Sequence, residues 1–245
     1  MEGRTVFRLT GSDREDFLQN LVTNDVARLK SGIVWAALLA PQGKYLADFF
    51  LVPAKSAILL DVAEEISAAL HQRLMMYRLR ADVQIEATDI RPTRGMGAAP
   101  AGAFADPRHP ALGWRAYDGR PDEGADWTAL RVAHCVPETG IELIANETYP
   151  LEAGFERLNG IDFKKGCYVG QEVTARMKHK TELRKGLAIV EIRGDAPLAT
   201  EIRSEVGKPA GTLFSQSGGR AIAYLRFDRA EGDLTAGEAT VRWAP

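Results

Sequence analysis

The chain has 245 residues, 45% hydrophobic and 26% charged, a composition typical of a globular protein with a sizeable core. Its net charge of −2 disfavours a general nucleic-acid or membrane-surface binder, since such proteins usually carry an excess of basic residues. Cys135 and Cys167 lie far apart and form no CxxC or Cys/His metal spacing. No apolar run approaches the roughly 20 residues that span a bilayer. We therefore expect a cytoplasmic protein with reduced thiols and no nucleic-acid or membrane partner.

The first 90 residues alternate between strand and helix patterns. Ser12 to Glu15 match a capping box, which predicts the start of a helix. The apolar periodicities predict the order strand, helix, hairpin, strand, helix, strand. These elements cover residues 6–9, 17–22, 33–40 with 45–52, 58–60, 63–80 and 83–87. This order indicates an α+β sandwich in which helices cover one face of a sheet.

Asp48 is a candidate site residue because it interrupts an apolar strand. Strict alternation places its carboxylate on one face with Leu46 and Phe50. A carboxylate among apolar neighbours costs free energy unless it has a partner, and such residues are often functional. The alternative is that this face of the strand is simply solvated.

The middle of the chain is less regular. Glycine and proline dominate residues 91–125, which predicts a linker or a small subdomain of short strands. Arg108 and Arg115 in this segment are candidates for anion contact or solvated surface residues. Residues 127–134 predict a short helix with Cys135 packed in the core at its end, and residues 141–144 predict a strand.

From residue 187 onward short strands alternate with Gly/Pro turns. The best of them cover residues 187–192, 210–214, 221–227 and 239–243. A small antiparallel barrel of roughly six strands would close the edges of such strands.

The run KKGCYVGQE at residues 164–172 concentrates chemistry in nine residues. We expect Gly166 and Gly170 to turn the backbone on either side of Cys167, because glycine adopts positive φ at little cost. Positive charge from Lys164 and Lys165 favours a thiolate if the thiol is accessible. The loop is therefore expected to display the thiol, although free cysteine is also a common buried residue.

Positive charge is concentrated around this run. Residues 157–185 contain eight Lys or Arg against three Asp or Glu. A solvated surface is the usual explanation of such a stretch. The alternative is a site for an anionic ligand or an acidic partner protein.

The longer run LNGIDFKKGCYVGQEVTARM at residues 158–177 closely resembles the signature of the YgfZ family. Members of that family are folate-binding relatives of glycine-cleavage aminomethyltransferase, and their mitochondrial counterparts assist iron–sulfur cluster assembly. The resemblance implies an aminomethyltransferase-like fold, with α/β sandwich subdomains around a central hole and a C-terminal antiparallel β-barrel. It implies a folate-binding region at residues 1–180, with the Gly/Pro-rich break at 91–125, and a barrel domain at residues 181–245.

The resemblance also implies a site. Tetrahydrofolate, or a one-carbon derivative of it, is expected in a hole between the body and the barrel. The implied folate contacts are Asp48, Glu142, Lys165 and Arg176, with Cys167 as the functional thiol and no metal site. The implied partners are iron–sulfur assembly proteins and client iron–sulfur enzymes.

Two functions follow from the resemblance. The first is a folate-binding accessory protein for iron–sulfur enzymes. The second is a folate-dependent aminomethyltransferase. In aminomethyltransferases the strand equivalent to residues 45–52 carries two adjacent aspartates, whereas this chain has Ala47 before Asp48. That difference favours the accessory role over an enzyme.

Overall fold

A computed structural model describes residues 3–179 and 182–244. The predicted α+β class is confirmed. An antiparallel sheet of five strands, in the order β2-β3-β4-β1-β5, forms the centre of the body. Its strands are β1 (Arg4–Thr10), β2 (Val34–Leu39), β3 (Tyr45–Ala54), β4 (Ala57–Ala63) and β5 (Gln84–Ala87).

The large sheet is buried on both faces. Helices α1 (Arg14–Gln19) and α2 (Glu64–Arg78) cover one face, where Leu18, Leu70 and Leu74 join the core. The other face packs against residues from the middle of the chain, among them Val136 and Phe155. Both faces being covered explains why β2 reads as a continuous apolar run rather than an alternating one.

The capping box predicted at Ser12–Glu15 is wrong. The Ser12 hydroxyl donates to the carboxylate of Asp82 at 2.9 Å, and Asp13 stands at the N-cap of α1 without a side-chain cap bond. Asp13 instead accepts from the backbone N–H of Asp82 at 2.8 Å. The start of α1 is thus hydrogen-bonded to the segment just before β5. The hydrogen bonds that Ser12 donates lower the pKa of the Asp82 carboxylate.

The Gly/Pro-rich segment forms a small sheet. Its strands, in the order β6-β8-β7, are β6 (Thr93–Gly95), β7 (Phe104–Ala105) and β8 (Trp114–Ala116). The predicted helix is confirmed as α3 (Trp127–His134), and Cys135 beyond it is buried as expected.

The predicted strand at residues 141–144 is wrong. The backbone N–H groups of residues 141, 142 and 143 all donate to the carbonyl of Glu138 at 3.1–3.2 Å. The segment therefore closes into a tight turn, although its composition favours a strand. Helix α4 (Gln171–His179), which the sequence does not predict, follows the cysteine loop.

The C-terminal barrel is closed by six antiparallel strands in the order β10-β11-β12-β9-β14-β13, with β13 paired back to β10. The predicted barrel is therefore confirmed. Its strands are β9 (Lys185–Arg193), β10 (Thr200–Ser204), β11 (Pro209–Ser217), β12 (Arg220–Arg226), β13 (Asp233–Ala236) and β14 (Ala239–Arg242). The expected domain boundary between residues 180 and 181 lies outside the described residues.

The barrel is bonded to the body through Glu152. The carbonyl of Glu152 accepts from the backbone N–H of Leu187 at 2.7 Å, and its carboxylate accepts from the Tyr224 hydroxyl at 2.6 Å. Among the described residues, no helix is long and apolar enough to cross a membrane.

Candidate functional site

A cavity of about 650 Å³ lies inside the body, between the large sheet, the small sheet and α3. Its described lining comes from these elements, from Glu64 and Glu65 at the start of α2, from the segment between β7 and β8, and from the turn at residues 137–141. The barrel contributes none of the described lining residues, so the cavity is not the expected hole between body and barrel. Five arginines line it: Arg4, Arg94, Arg108, Arg115 and Arg131.

Asp48 lines the cavity on the same face as Phe50, as alternation predicts, but Leu46 does not share that face. A β-bulge at Leu46 shifts the register between β2 and β3, so Leu46 packs with the helical layer while Asp48 and Phe50 face the cavity. Asp48 is only 6% exposed, so its carboxylate is not solvated as the alternative supposed.

Three donors surround the Asp48 carboxylate. Trp35 Nε1 donates at 2.8 Å, the Tyr45 hydroxyl at 2.8 Å and the Thr139 hydroxyl at 2.6 Å. Burial and the neighbouring carboxylate raise the pKa of Tyr45 well above its usual range, so this hydroxyl remains a donor. A carboxylate accepts about four hydrogen bonds. One acceptor position therefore remains for a ligand.

A buried chain of ion pairs forms another wall of the cavity. Asp61 accepts from Arg4 at 2.7 Å and from Arg115 at 3.0 Å, and Arg115 continues to Asp106 at 3.3 Å. Arg108 pairs with Asp106 at 2.7 Å. Burial opposes the charge on Asp106, but Arg108 and Arg115 lower its pKa below the usual range. Arg108 and Arg115 are thus neither free anion sites nor solvated surface residues.

Glu142 lies behind the cavity wall. Its carboxylate accepts from Arg131 at 3.2 Å, from the backbone N–H of Glu138 at 2.9 Å and from that of Ser215 on β11 at 3.3 Å. These bonds join α3, the turn and the barrel. The acidic residue that this turn presents to the cavity is Glu138, whose carboxylate is paired with Arg131 at 2.8 Å.

The cysteine loop displays Cys167 at the surface, as predicted, whereas Cys135 is buried and its pKa is raised to about 11 by burial. Gly170 has φ +82°, and a Cβ there would lie 2.6 Å from the carbonyl oxygen of Ala40 in the β2–β3 turn. Gly166 does not adopt positive φ and has open space around it. Gly170 alone therefore requires glycine, so the predicted turning role of Gly166 is wrong.

Lys165 points inward from the cysteine loop. Its ammonium donates to the carbonyls of Gln19 at 2.7 Å, Val22 at 2.5 Å and Asn24 at 3.0 Å. Burial lowers its pKa to about 8, and the amine still donates to all three carbonyls at neutral pH. Lys165 thus fixes the loop to the segment after α1 and does not line the cavity. Lys164, by contrast, is exposed, as is Cys167.

Arg176 lies on α4 and is exposed, away from the cavity lining. Its neighbour Lys178 forms an ion pair with Glu156. Lys180, which belongs to the predicted basic stretch, lies outside the described residues. The structure therefore brings Asp48 alone of the four expected folate contacts into the cavity.

Asn24 and Trp35 are structural residues that the sequence does not single out as a pair. Asn24 Nδ2 donates to the carbonyls of Trp35 at 2.8 Å and Asn159 at 2.6 Å. A Cβ on Gly160 would lie 2.7 Å from the Trp35 ring, so the signature glycine permits this close approach. A short polar residue before a buried tryptophan strand is the only sequence signal of the arrangement.

Comparisons with known proteins agree with this architecture. Residues 184–245 match the CAF17 C-terminal beta-barrel domain. Over 98% of its length, the chain superposes on the glycine cleavage system aminomethyltransferase T of Bartonella henselae, covering 82% of that chain with a TM-score of 0.74. The sequence identity is 14%, so this likeness establishes the fold.

Comparison of sequences points to a narrower group of proteins than comparison of folds. The chain is 29% identical to the human mitochondrial iron–sulfur cluster assembly factor IBA57, over 96% of this chain and 78% of that protein. The IBA57 homolog of Neurospora crassa is 28% identical over 85% of this chain, which spans 58% of that protein's length. The homolog of Mycosarcoma maydis is 31% identical over 74% of this chain and 54% of that protein.

The chain thus has the aminomethyltransferase fold, and its barrel resembles the CAF17 C-terminal domain. The sequence relatives named above are IBA57 iron–sulfur cluster assembly factors. The human and fungal relatives are IBA57 proteins rather than members of the related YgfZ family. The similarity to iron–sulfur assembly factors that the signature implied is therefore confirmed, whereas the YgfZ assignment is not.

The predicted cytoplasmic location is wrong by this comparison, since the IBA57 relatives are named as mitochondrial proteins. The prediction relied on the lack of a long apolar run and of any sign of an oxidising compartment in the sequence. Those properties do not distinguish one reducing compartment from another.

We predict that Gly170→Ala lowers the free energy of unfolding by about 1–3 kcal/mol, because alanine is strained at this φ and meets the Ala40 carbonyl. Urea denaturation measures the change. Gly166→Ala in the same loop is the matched control and is expected within about 0.5 kcal/mol of the wild type. Equal effects of the two variants would contradict this account of the loop.

We predict that Lys165→Met destabilises the fold by about 1–3 kcal/mol, because it leaves buried carbonyl groups without their donor. Lys164→Met, at the exposed neighbouring position, is the control with little expected change. Denaturation and folate titration are measured on both variants. A Lys165→Met protein of normal stability that has lost folate affinity would instead make Lys165 a ligand contact.

Proposed function

We propose that this protein supports the assembly or repair of iron–sulfur clusters in client enzymes, with Cys167 as its functional thiol. The observation that carries the proposal is the similarity to IBA57 assembly factors over 96% of the chain. The displayed position of Cys167 supports it, since a thiol must be accessible to meet a cluster or a partner. A single cysteine cannot hold a cluster alone, because clusters usually need four ligands. Cys167 therefore acts together with an assembly protein or a client enzyme.

We further propose that the cavity binds tetrahydrofolate or a one-carbon derivative of it. The volume of about 650 Å³ lies in the usual range for small-molecule sites. Asp48 retains an acceptor position suited to the N–H groups of a pterin ring, and the described lining also offers five arginines beside five carboxylates. We also propose the finer assignment to a YgfZ-like protein on the basis of the signature at residues 158–177.

Aminomethyl transfer is the second candidate function. The likeness in fold to an aminomethyltransferase favours it. Against it, position 47 is an alanine buried in the core, where the family resemblance implies a second aspartate. Conversion of methylene-tetrahydrofolate in the presence of an aminomethyl-loaded lipoyl carrier would establish this function instead.

We predict that tetrahydrofolate binds the wild-type protein and that Asp48→Asn weakens binding about tenfold. The substitution replaces a carboxylate oxygen, which would accept from the N–H groups of the ligand, with an amide group that donates. Isothermal titration calorimetry measures both affinities. Asp89→Asn, at an exposed position of the same chain, is the control and leaves the affinity unchanged. Absence of binding to the wild type would refute the folate proposal.

We predict that Cys167→Ala folds normally but does not restore iron–sulfur enzyme activity to a strain lacking the protein. The exposed thiol makes few packing contacts, so its loss removes chemistry rather than stability. Cys135→Ala, which removes the buried thiol, is expected to restore activity as long as the variant protein is present in the strain at the level of the wild type. Full restoration by Cys167→Ala would remove the thiol from the function.

A further inference from the structure

Arg94 differs from the other four arginines of the cavity. Arg4, Arg108, Arg115 and Arg131 each form an ion pair with a buried or partly buried carboxylate. Among residues 3–179 and 182–244, the guanidinium of Arg94 has neither an ion pair nor a hydrogen bond, and its Nε is buried without a partner. Arg94 is therefore the cation of the described lining whose donors are uncommitted.

The position of this guanidinium is fixed by an aromatic ring. Its central carbon lies 4.0 Å from the centroid of Trp127, the first residue of α3. The preceding residue, Asp126, caps the helix by accepting from the N–H of Ala129 at 2.8 Å. A cation stacked on a ring that is itself held by a capped helix has little freedom left to lose when a ligand binds.

The electrostatic environment favours an anion here. Burial, with a contribution from the charge of Arg115, lowers the pKa of Arg94 to about 10, while Asp122 and Glu138 oppose this shift from a distance. Arg94 is therefore still charged at neutral pH, although it is partly removed from water and lacks a direct partner among the described residues. A charge in that state is unfavourable, and an anionic group at hydrogen-bond distance would offset the cost.

We propose that Arg94 and Trp127 form an anion subsite of the cavity, which binds a carboxylate of the ligand. The inference rests on the proposed function, since tetrahydrofolate carries its carboxylates on the glutamate tail. Arg94 lies on the small sheet and Asp48 on the large sheet, so the two residues bind different parts of one ligand from different walls. Arg94 thus distinguishes a folate with its glutamate from the same ring system without it.

The test is calorimetric titration of the protein with three ligands: tetrahydrofolate, the primary amide of tetrahydropteroate (which has neither the glutamate nor a free carboxylate) and inorganic phosphate. The wild type is expected to bind tetrahydrofolate about 10- to 100-fold more tightly than this amide, because a charge-assisted hydrogen bond forms only with the carboxylate. Arg94→Gln is expected to remove that difference while leaving the affinity for the amide unchanged. Arg73→Gln, at an exposed position on α2, is the control.

The outcomes separate the subsite from the folate proposal. Equal binding of the two pterins by the wild type, or equal loss of both in Arg94→Gln, would overturn the subsite. Phosphate binding that disappears in Arg94→Gln, without binding of either pterin, would support the subsite for a free anion and overturn the folate function. If Arg94→Gln does not fold, Arg94→Lys replaces it, since lysine retains the charge but loses the paired donors.

Discussion

The carboxylate of Asp61 is the group on which the cavity depends. It is fully buried on β4 and accepts from Arg4 of the neighbouring strand β1, from Arg115 of the small sheet and from the hydroxyl of Tyr117 at 2.8 Å. A buried charge is tolerable only when its partners are all present, and loss of one partner typically costs about 3–5 kcal/mol. Leu112, Phe104 and Tyr117 of the Gly/Pro-rich segment also pack into the core against the large sheet. The charged bonds fix the position of this segment beside the cavity.

The large sheet and the barrel were predictable because their signals are local. Apolar runs and turn residues recur at strand spacing, and both architectures follow from that spacing. The face of Leu46 was not predictable, because the bulge there interrupts the alternation without changing the residue types. The turn at residues 141–144 and the role of Ser12 depend on partners distant in the sequence or on backbone bonds that composition does not reveal.

The candidate site residues were predictable in part, where their signals are local in the sequence. The displayed thiol follows from a glycine-containing loop, and the sequence contains that information. The sequence does not reveal that Lys165 and Glu142 are buried, because each charge is satisfied by groups far away in the chain. Lys165 belongs to the signature and Glu142 precedes it, and the hydrogen bonds of these two residues stabilise the loop and the barrel junction respectively. Arg94 lies outside any signature, and only its uncommitted donors among the described residues distinguish it.

Trp35 connects the two regions of interest. Its indole N–H donates to Asp48 in the cavity wall, while its backbone carbonyl accepts from Asn24, whose own carbonyl accepts from Lys165 beneath the thiol loop. The ring also stacks on Phe155 with centroids 4.2 Å apart. A change at this tryptophan would therefore disturb the cavity wall and the thiol loop together. Residues at the outer ends of the two regions, such as Arg94 and Cys167, are better suited to separating the two proposed activities genetically.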